Sequence, residues 1–346
     1  MIHHADWFRR QWAQQLVNWG LVSTISAASS GETLLTACPD LPLYLLRNAY
    51  VGGIPPVVCR RLSPPFEIVE ETVREIGSDS GHEHAHGFIK RFLRNDLRDA
   101  RVSVLDRAMC LYTAYGAYGD WIFQHVPKVV FAEEIGFTGA YLVPPQQFAR
   151  EILLLIGIAP ERIVVHTGQL WKVSNLFVMP WFYSAYLFEK RPELFITIRN
   201  AMLRNVKIGK AGRRAYVSRN RPELSRHILN EPDFKRLIAK FDFHEYFPQD
   251  HSIAEQISYF VECAAVIGAT GSGMHNSIFM PERSLIMELF SPLRHEYRYS
   301  LFIAKQLKQR YYSIFPYYSS DGGYQHGNDV IANLDLIEKT LEQEFL

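Results

Sequence analysis

Three glycines within six residues give the sequence its clearest chemical signal. The stretch Val266-Ile267-Gly268-Ala269-Thr270-Gly271-Ser272-Gly273-Met274-His275-Asn276-Ser277-Ile278-Phe279 leads from an apolar strand through Gly268, Gly271 and Gly273 into a helix start. Glycines let backbone N–H groups crowd around an anion, and a helix N-terminus adds partial positive charge. A diphosphate suits such a cradle. A tight strand-to-helix turn in which glycine only relieves crowding would use the same residues. Eleven residues past Ser277, Glu288 stands inside the apolar run Leu285-Ile286-Met287-Glu288-Leu289. A carboxylate at a strand's carboxyl end beside a phosphate loop can accept hydrogen bonds from both ribose hydroxyls. Pairing with a nearby arginine is an equal alternative. Between Arg204 and Arg226 the chain carries eight Lys/Arg and one acid, Glu223. Arg219 and Arg226 bracket the end of the run Tyr216-Val217-Ser218 and the turn after it, where guanidinium forks could neutralise a leaving diphosphate. Lys207, Lys210, Arg213 and Arg214 read as a solvated face.

Other residue patterns promise less. His82-x-His84-x-His86 would share one face of a strand, yet Gly81 and Gly87 bound it and no ligand cluster follows at metal spacing, so a polar loop is expected. The sequence has no Asp-x-Asp, the usual clamp for a divalent ion on a nucleotide sugar. Charge neutralisation by arginine and a helix dipole is expected instead, with no metal site. Cys38, Cys59, Cys110 and Cys263 lie far apart and read as reduced, buried thiols.

These groups must be held by a chain of 346 residues, 48% hydrophobic and 21% charged, with a net charge of +1. That length suggests about two domains, and the composition excludes disorder and a disulfide scaffold. The neutral balance argues against nucleic-acid partners, which usually demand a basic excess. No apolar run approaches the ~20 residues of a membrane span, and Met1–Gly20 lacks the continuous apolar core of a secretion signal. A cytoplasmic location follows as an expectation. Trp7, Phe8, Trp12, Leu16 and Trp19 form an apolar helical stripe that either packs on the protein's own core or lies on a membrane surface.

Periodicity predicts short strands and loops over 51–87, then strand Val102–Tyr112, helix Trp121–Ile135, strand Ala140–Val143, helix Gln146–Ile156 and strand Arg162–His166. Alternation of this kind is the sequence form of a parallel, helix-covered sheet. Helical spacing over Glu193–Val206 precedes the flexible run Gly209-Lys210-Ala211-Gly212. A second alternating series follows: strand Arg214–Ser218, helices Asp233–Lys240 and Ile253–Ala264, strands Ala265–Gly268 and Leu285–Leu289, and a closing helix Asn333–Phe345. Two α/β lobes joined near 207–213 would bind a ligand in a cleft at their strand carboxyl ends.

Several of these residues also carry a family resemblance. Tyr216-Val217-Ser218-Arg219, Arg226, Asn230-Glu231, Glu255-Gln256 and Gly268 through Glu288-Leu289 resemble the C-terminal lobe of glycosyltransferase family 61. Upstream, Tyr118-Gly119-Asp120-Trp121 with Val126-Pro127-Lys128 is similar to the family's Tyr-x-His-Trp … Leu-Pro-Arg helix start, and Leu154–Arg162 is similar too. The resemblance covers about 105–300; residues 1–100 match nothing.

The resemblance implies a GT-B fold of two Rossmann-like lobes. Residues 1–206 would be the acceptor-side lobe, with 1–100 irregular, and 207–325 the nucleotide-sugar lobe. Residues 326–346 would form a helix packing back on the N-terminal lobe. It further implies inverting, metal-independent transfer from a nucleoside-diphosphate sugar, UDP-linked, to a glycan or lipid-linked saccharide at the inner membrane face. The expected setting is bacterial surface polysaccharide synthesis, with no cofactor beyond the donor. Ser218, Arg219, Arg226, Thr270, Gly271, Ser272, Gly273, Met274, His275, Asn276 and Glu288 would line the nucleotide side. Two departures bear on chemistry: the family has His where this chain has Asp120, and again where it has Thr270. Asp120, His125 or His275 would then take the acceptor proton. A catalytically silent nucleotide- or glycan-binding protein is the alternative that the replaced histidines allow.

Overall fold

In this computed structural model the described residues are 22–26, 32–34, 43–54, 56–61, 66–69, 101–111, 117–179, 188, 190–289, 299–318 and 329–346. The apolar stripe of Met1–Gly20, Cys38 and the His82–His86 run lie outside them. The chain divides into two units, Met1–Phe182 and Tyr183–Leu346.

The first unit is built on a mixed sheet. Its strands are β1 (Val22–Ser26), β2 (Glu32–Leu34), β3 (Leu43–Gly52), β4 (Val57–Arg61), β5 (Phe66–Val69), β6 (Ser103–Cys110), β7 (Ala140–Val143), β8 (Ile163–Val165) and β9 (Trp171–Val178). The order is β1-β5-β4-β3-β9-β6-β7-β8, with β2 pairing β3. The half β9-β6-β7-β8 is parallel, as the alternating sequence predicts. Helix α1 (Tyr118–Glu134) connects β6 to β7, and α2 (Gln147–Leu155) connects β7 to β8. Gly157 ends α2 with φ at +96°, a conformation costly for a side chain with a Cβ, and Ile158 N–H closes the cap on Leu153 O at 2.9 Å. The other half departs from a Rossmann-like plan. β3 pairs antiparallel with β9 and β4, and β4 with β5. The short Gly53–Pro56 link between β3 and β4 has room only for a hairpin, whereas a parallel crossover needs a dozen or more residues. Leu46, Ala49, Val51, Ala108, Leu142, Val173 and Leu176 fill the core of this sheet.

Arg162 ties the first unit's helical side together. Its guanidinium grips Glu133 on α1 through two bonds, at 2.9 and 2.7 Å, and reaches the carbonyls of Gly139 and Phe137. Tyr141 on β7 donates to the same carboxylate at 2.5 Å.

The second unit is a five-stranded parallel sheet among the described residues. Its strands are β10 (Arg213–Val217), β11 (His244–Tyr246), β12 (Cys263–Ala269), β13 (Leu285–Leu289) and β14 (Arg310–Ile314). They lie in the order β11-β10-β12-β13-β14. Helix α3 (Glu193–Leu203) precedes β10; α4 (Glu231–Ala239) and α5 (Ile253–Phe260) connect the first three strands in sequence; α6 (Tyr299–Gln306) leads to β14, and α7 (Leu334–Phe345) closes the chain. Ser252 and Glu255 form a reciprocal capping box at the start of α5. Tyr216, Phe234, Ile267, Leu285, Met287, Ile337 and Leu341 meet in the core.

The division falls at 182/183, so α3 belongs to the second unit, where it packs against α6 and the helix after β12. The Gly209–Gly212 run is docked: the N–H groups of Gly212 and Arg213 donate to Glu262 O at 2.9 and 3.0 Å, and Arg213 pairs with the Glu262 carboxylate. Helix α7 packs within the second unit, against α4. Ile337 and Leu341, both fully buried, fix it there, and Glu344 pairs with Arg310 of β14.

Candidate functional site

In chain order the second sheet runs two-one-three-four-five, so the connections from β10 and β12 leave in opposite directions. Ligands of open α/β sheets bind at such a reversal, beyond the strand carboxyl ends. Val217 of β10 lies in register with Gly268 of β12, so Ser218-Arg219 and Thr270-Gly271 emerge side by side.

The glycines are there for space. A Cβ on Gly268 would lie 2.7 Å from Val217 O and 3.1 Å from Met274 Sδ, and one on Gly273 would lie 2.9 Å from Val217 Cγ1. At Gly271 it would fall on Arg219 Nη1. The Arg219 guanidinium therefore lies across the bare backbone of Gly271. Arg219 Nε donates to Ser225 O at 2.7 Å, which fixes the side chain's direction. Burial and the nearby charge of Arg226 push its pKa down to about 10, still charged at neutral pH.

Arg226 has φ at +67°, a left-handed conformation that arginine rarely adopts. Such strain is of order 1–3 kcal/mol and gathers at functional sites. Its charge acts on Arg219, His275 and Glu288 together. Burial, with Arg226 adding to it, pushes His275 down to about 3, so the ring is neutral at physiological pH. Glu288 is 1% exposed, and burial raises its pKa against the opposing pull of Thr270, Tyr311 and Ser300 hydroxyls and of Arg226. Tyr311 on β14 donates to it at 3.0 Å. In this arrangement the Glu288 carboxylate holds Thr270 and balances Arg226 from beneath the turn.

Glu231, in the first turn of α4, organises the β10 side. It is buried and accepts from Tyr216 Oη at 2.7 Å, from Asn220 Nδ2 and, more weakly, from Ser218 Oγ at 3.5 Å. Ser218 Oγ in turn accepts from Asn220 N–H at 3.2 Å. On the β12 side, Ser272–Phe279 is a 3₁₀ helix, with Met274, His275 and Asn276 buried and Asn276 Nδ2 donating to Gln256 at 2.9 Å. Thus Ser218, Arg219, Arg226, the Thr270–Asn276 segment and Glu288 all belong to one end of one sheet. Asp120 and His125 lie elsewhere, on α1 of the first unit. Nothing of the Asp120 side chain falls within the described residues. His125 is fully buried, its ring 5.2 Å from that of Trp121, and neither ring nitrogen has a partner among the described residues. Burial, then the charge of Lys128, holds its pKa well below the usual range.

Residues 118–287 match the model of the family Glycosyltransferase 61. This chain carries a glycosyltransferase family 61 domain. No curated protein matches it. The matched span opens at the first residue of α1 and closes within β13, so it contains the β10–β12 crevice. This glycosyltransferase therefore acts on a sugar donor and an acceptor. Tyr311, Ser300 and Gln309, which support the crevice, lie beyond the match, and Glu288 stands one residue past its end. Among the described residues of the enzyme, no three His, Cys, Asp or Glu side chains cluster as a metal ion requires, and no helix is long and apolar enough to cross a membrane. Cys59, Cys110 and Cys263 are free thiols, and burial pushes Cys59 and Cys263 up to about 12.

Proposed function

We propose that the enzyme moves a sugar from a nucleoside-diphosphate sugar, UDP-linked, to a hydroxyl of a glycan or lipid-linked saccharide, by single displacement with inversion. The reading rests on one observation: the Arg219 guanidinium lies across Gly271 where the sheet order reverses, with Arg226 electrostatically coupled to it. Two half-buried cations and a helix N-terminus meet there, and fixed positive groups of this kind stabilise a departing diphosphate. The reaction then needs no essential metal. His275 and His125, both held neutral by burial, are weak bases, so the base is assigned to Asp120. The setting we propose is cytoplasmic, at the inner membrane face, in bacterial surface polysaccharide synthesis.

The test combines a panel of UDP-, GDP-, CDP- and dTDP-sugars in thermal-shift assays with mass-spectrometric detection of transfer. We expect Arg226→Ala to abolish donor binding, and Asp120→Asn to bind donor while losing transfer. Wild-type rates in Asp120→Asn would remove that residue from the role of base. Donor binding without transfer to any acceptor would favour a silent binding protein, and loss of activity in EDTA with recovery in Mn²⁺ would refute the metal-independent part.

A further inference from the structure

The turn at Gly271 continues into a 3₁₀ helix of eight residues. Helices of this type seldom exceed three or four residues, because their hydrogen bonds are poorly aligned. Support must come from outside. The last carbonyls of a helix run short of intrahelical donors; here Ser277 O receives the Met280 N–H at 3.1 Å, and two side chains from distant elements bond the carbonyls at the helix end and its cap. Arg199 on α3 donates through Nη1 to the carbonyls of Ile278 and Met280, the latter at 3.0 Å. Gln309, just before β14, donates through Nε2 to Ser277 O at 2.9 Å and Met280 O at 3.1 Å. The Gln309 amide oxygen has no partner among the described residues. Burying it unpaired is unfavourable, so donation to these carbonyls is what the amide supplies. Arg199 also meets the negative end of the helix dipole, while the opposite end opens at Gly271.

We infer that Arg199 and Gln309 are positioning residues for the donor diphosphate: they grip the far end of the 3₁₀ helix and thereby aim its leading N–H groups into the crevice. This rests on the reading of the crevice as the diphosphate site. Neither residue is assigned a contact with the phosphates. Each acts through the helix axis.

The experiment titrates wild type, Arg199→Met, Arg199→Lys and Gln309→Glu with UDP, GDP, CDP and ADP by calorimetry, with melting curves alongside. Leu341→Ala, in the core of the same unit, serves as a variant destabilised away from the turn. Arg199→Met and Gln309→Glu should bind the nucleotide recognised by wild type at least tenfold more weakly. Leu341→Ala should keep wild-type affinity despite an equal or larger fall in Tm. Arg199→Lys, which keeps the charge without the fork, should fall between. In transfer assays donor KM should rise more than kcat falls. If Arg199→Met does not fold, Gln309→Glu, nearly unchanged in size, decides the question. Wild-type affinity in the variants, or a loss that Leu341→Ala shares, would overturn the inference alone. A wild type that binds none of the four nucleotides overturns the donor reading, and this inference with it.

Discussion

Gly271→Ala separates folding from binding at a single atom. The backbone there is extended, with φ at 162°, so alanine adopts it without strain. The new methyl would fall on Arg219 Nη1, the far end of a flexible side chain, and 3.2 Å from its Cζ. The guanidinium must swing aside, while the fold is left intact. Displacing a charge-assisted hydrogen bond removes about 1.5–3 kcal/mol, which corresponds to about 10- to 150-fold in the Kd for nucleoside diphosphate. Gly268→Ala is the contrast. Its methyl would lie 2.7 Å from Val217 O, a backbone atom in the middle of the sheet, and cannot be accommodated by a rotamer change. Overpacking of this kind costs about 1–3 kcal/mol of stability. Calorimetric titration with nucleoside diphosphate and thermal melting on both variants give the answer. The expected pattern is a weak binder with near-wild-type Tm for Gly271→Ala and a lowered Tm for Gly268→Ala. A Gly271→Ala variant that binds as tightly as wild type would show that Arg219 is not a phosphate ligand. One that melts as early as Gly268→Ala would refute the packing argument.

Other perturbations probe the supports. Glu231→Ala leaves Tyr216 Oη without its 2.7 Å acceptor in a buried place and should cost about 2–3 kcal/mol in urea unfolding; Tyr216→Phe, which removes both the hydroxyl and its need, should cost about 1 kcal/mol. His275 carries its proton in the unfolded chain below about pH 6.5 but in the folded protein only near pH 3. Its contribution to stability is therefore complete above pH 6.5 and lost as the pH falls towards 3. Linkage makes that loss about 2 kcal/mol at pH 5. His125 shifts in the same direction, so the comparison is with His275→Gln, whose unfolding free energy should fall less between pH 7.5 and 5 than that of wild type. Equal slopes would contradict burial of a neutral ring. Arg162→Lys cannot fork onto Glu133 while reaching Gly139 and Phe137, and should destabilise the first unit by about 1–3 kcal/mol by hydrogen-exchange protection of β7 and β8.

The central strands of the second sheet were legible because β12 and β13 are runs buried on both faces and β10 ends in the buried Ala215-Tyr216-Val217. The edge strands were not. β11 reads His244-Glu245-Tyr246 with two exposed residues, and β14 reads Arg-Tyr-Tyr-Ser-Ile, so neither carries a continuous apolar signal. Gly209–Gly212 looked like a joint because glycine and lysine usually mean solvent and freedom, but Glu262 offers those N–H groups an acceptor from α5's far end. At the site, the glycine-rich turn and the arginine beside it could be picked out from spacing alone. Their supports could not. Glu231 reaches Ser218 and Asn220 across a loop, Tyr311 reaches Glu288 from the next strand, and Arg199 reaches Ile278 from another helix. Such partners share no fixed interval in the chain; only the fold brings them together.

The closeness of Arg219 and Arg226 has a kinetic side. Burial, and after it the charge of Arg226, depresses Arg219 before any anion arrives, so a diphosphate gains by relieving the repulsion. In the proposed reaction the freed nucleotide carries one more ionisable oxygen than the donor did. The pair that draws charge away from the anomeric carbon then grips the spent nucleotide more tightly than the fresh one. Turnover would be paced by product escape, and excess free nucleotide would stall the enzyme by competing with its donor.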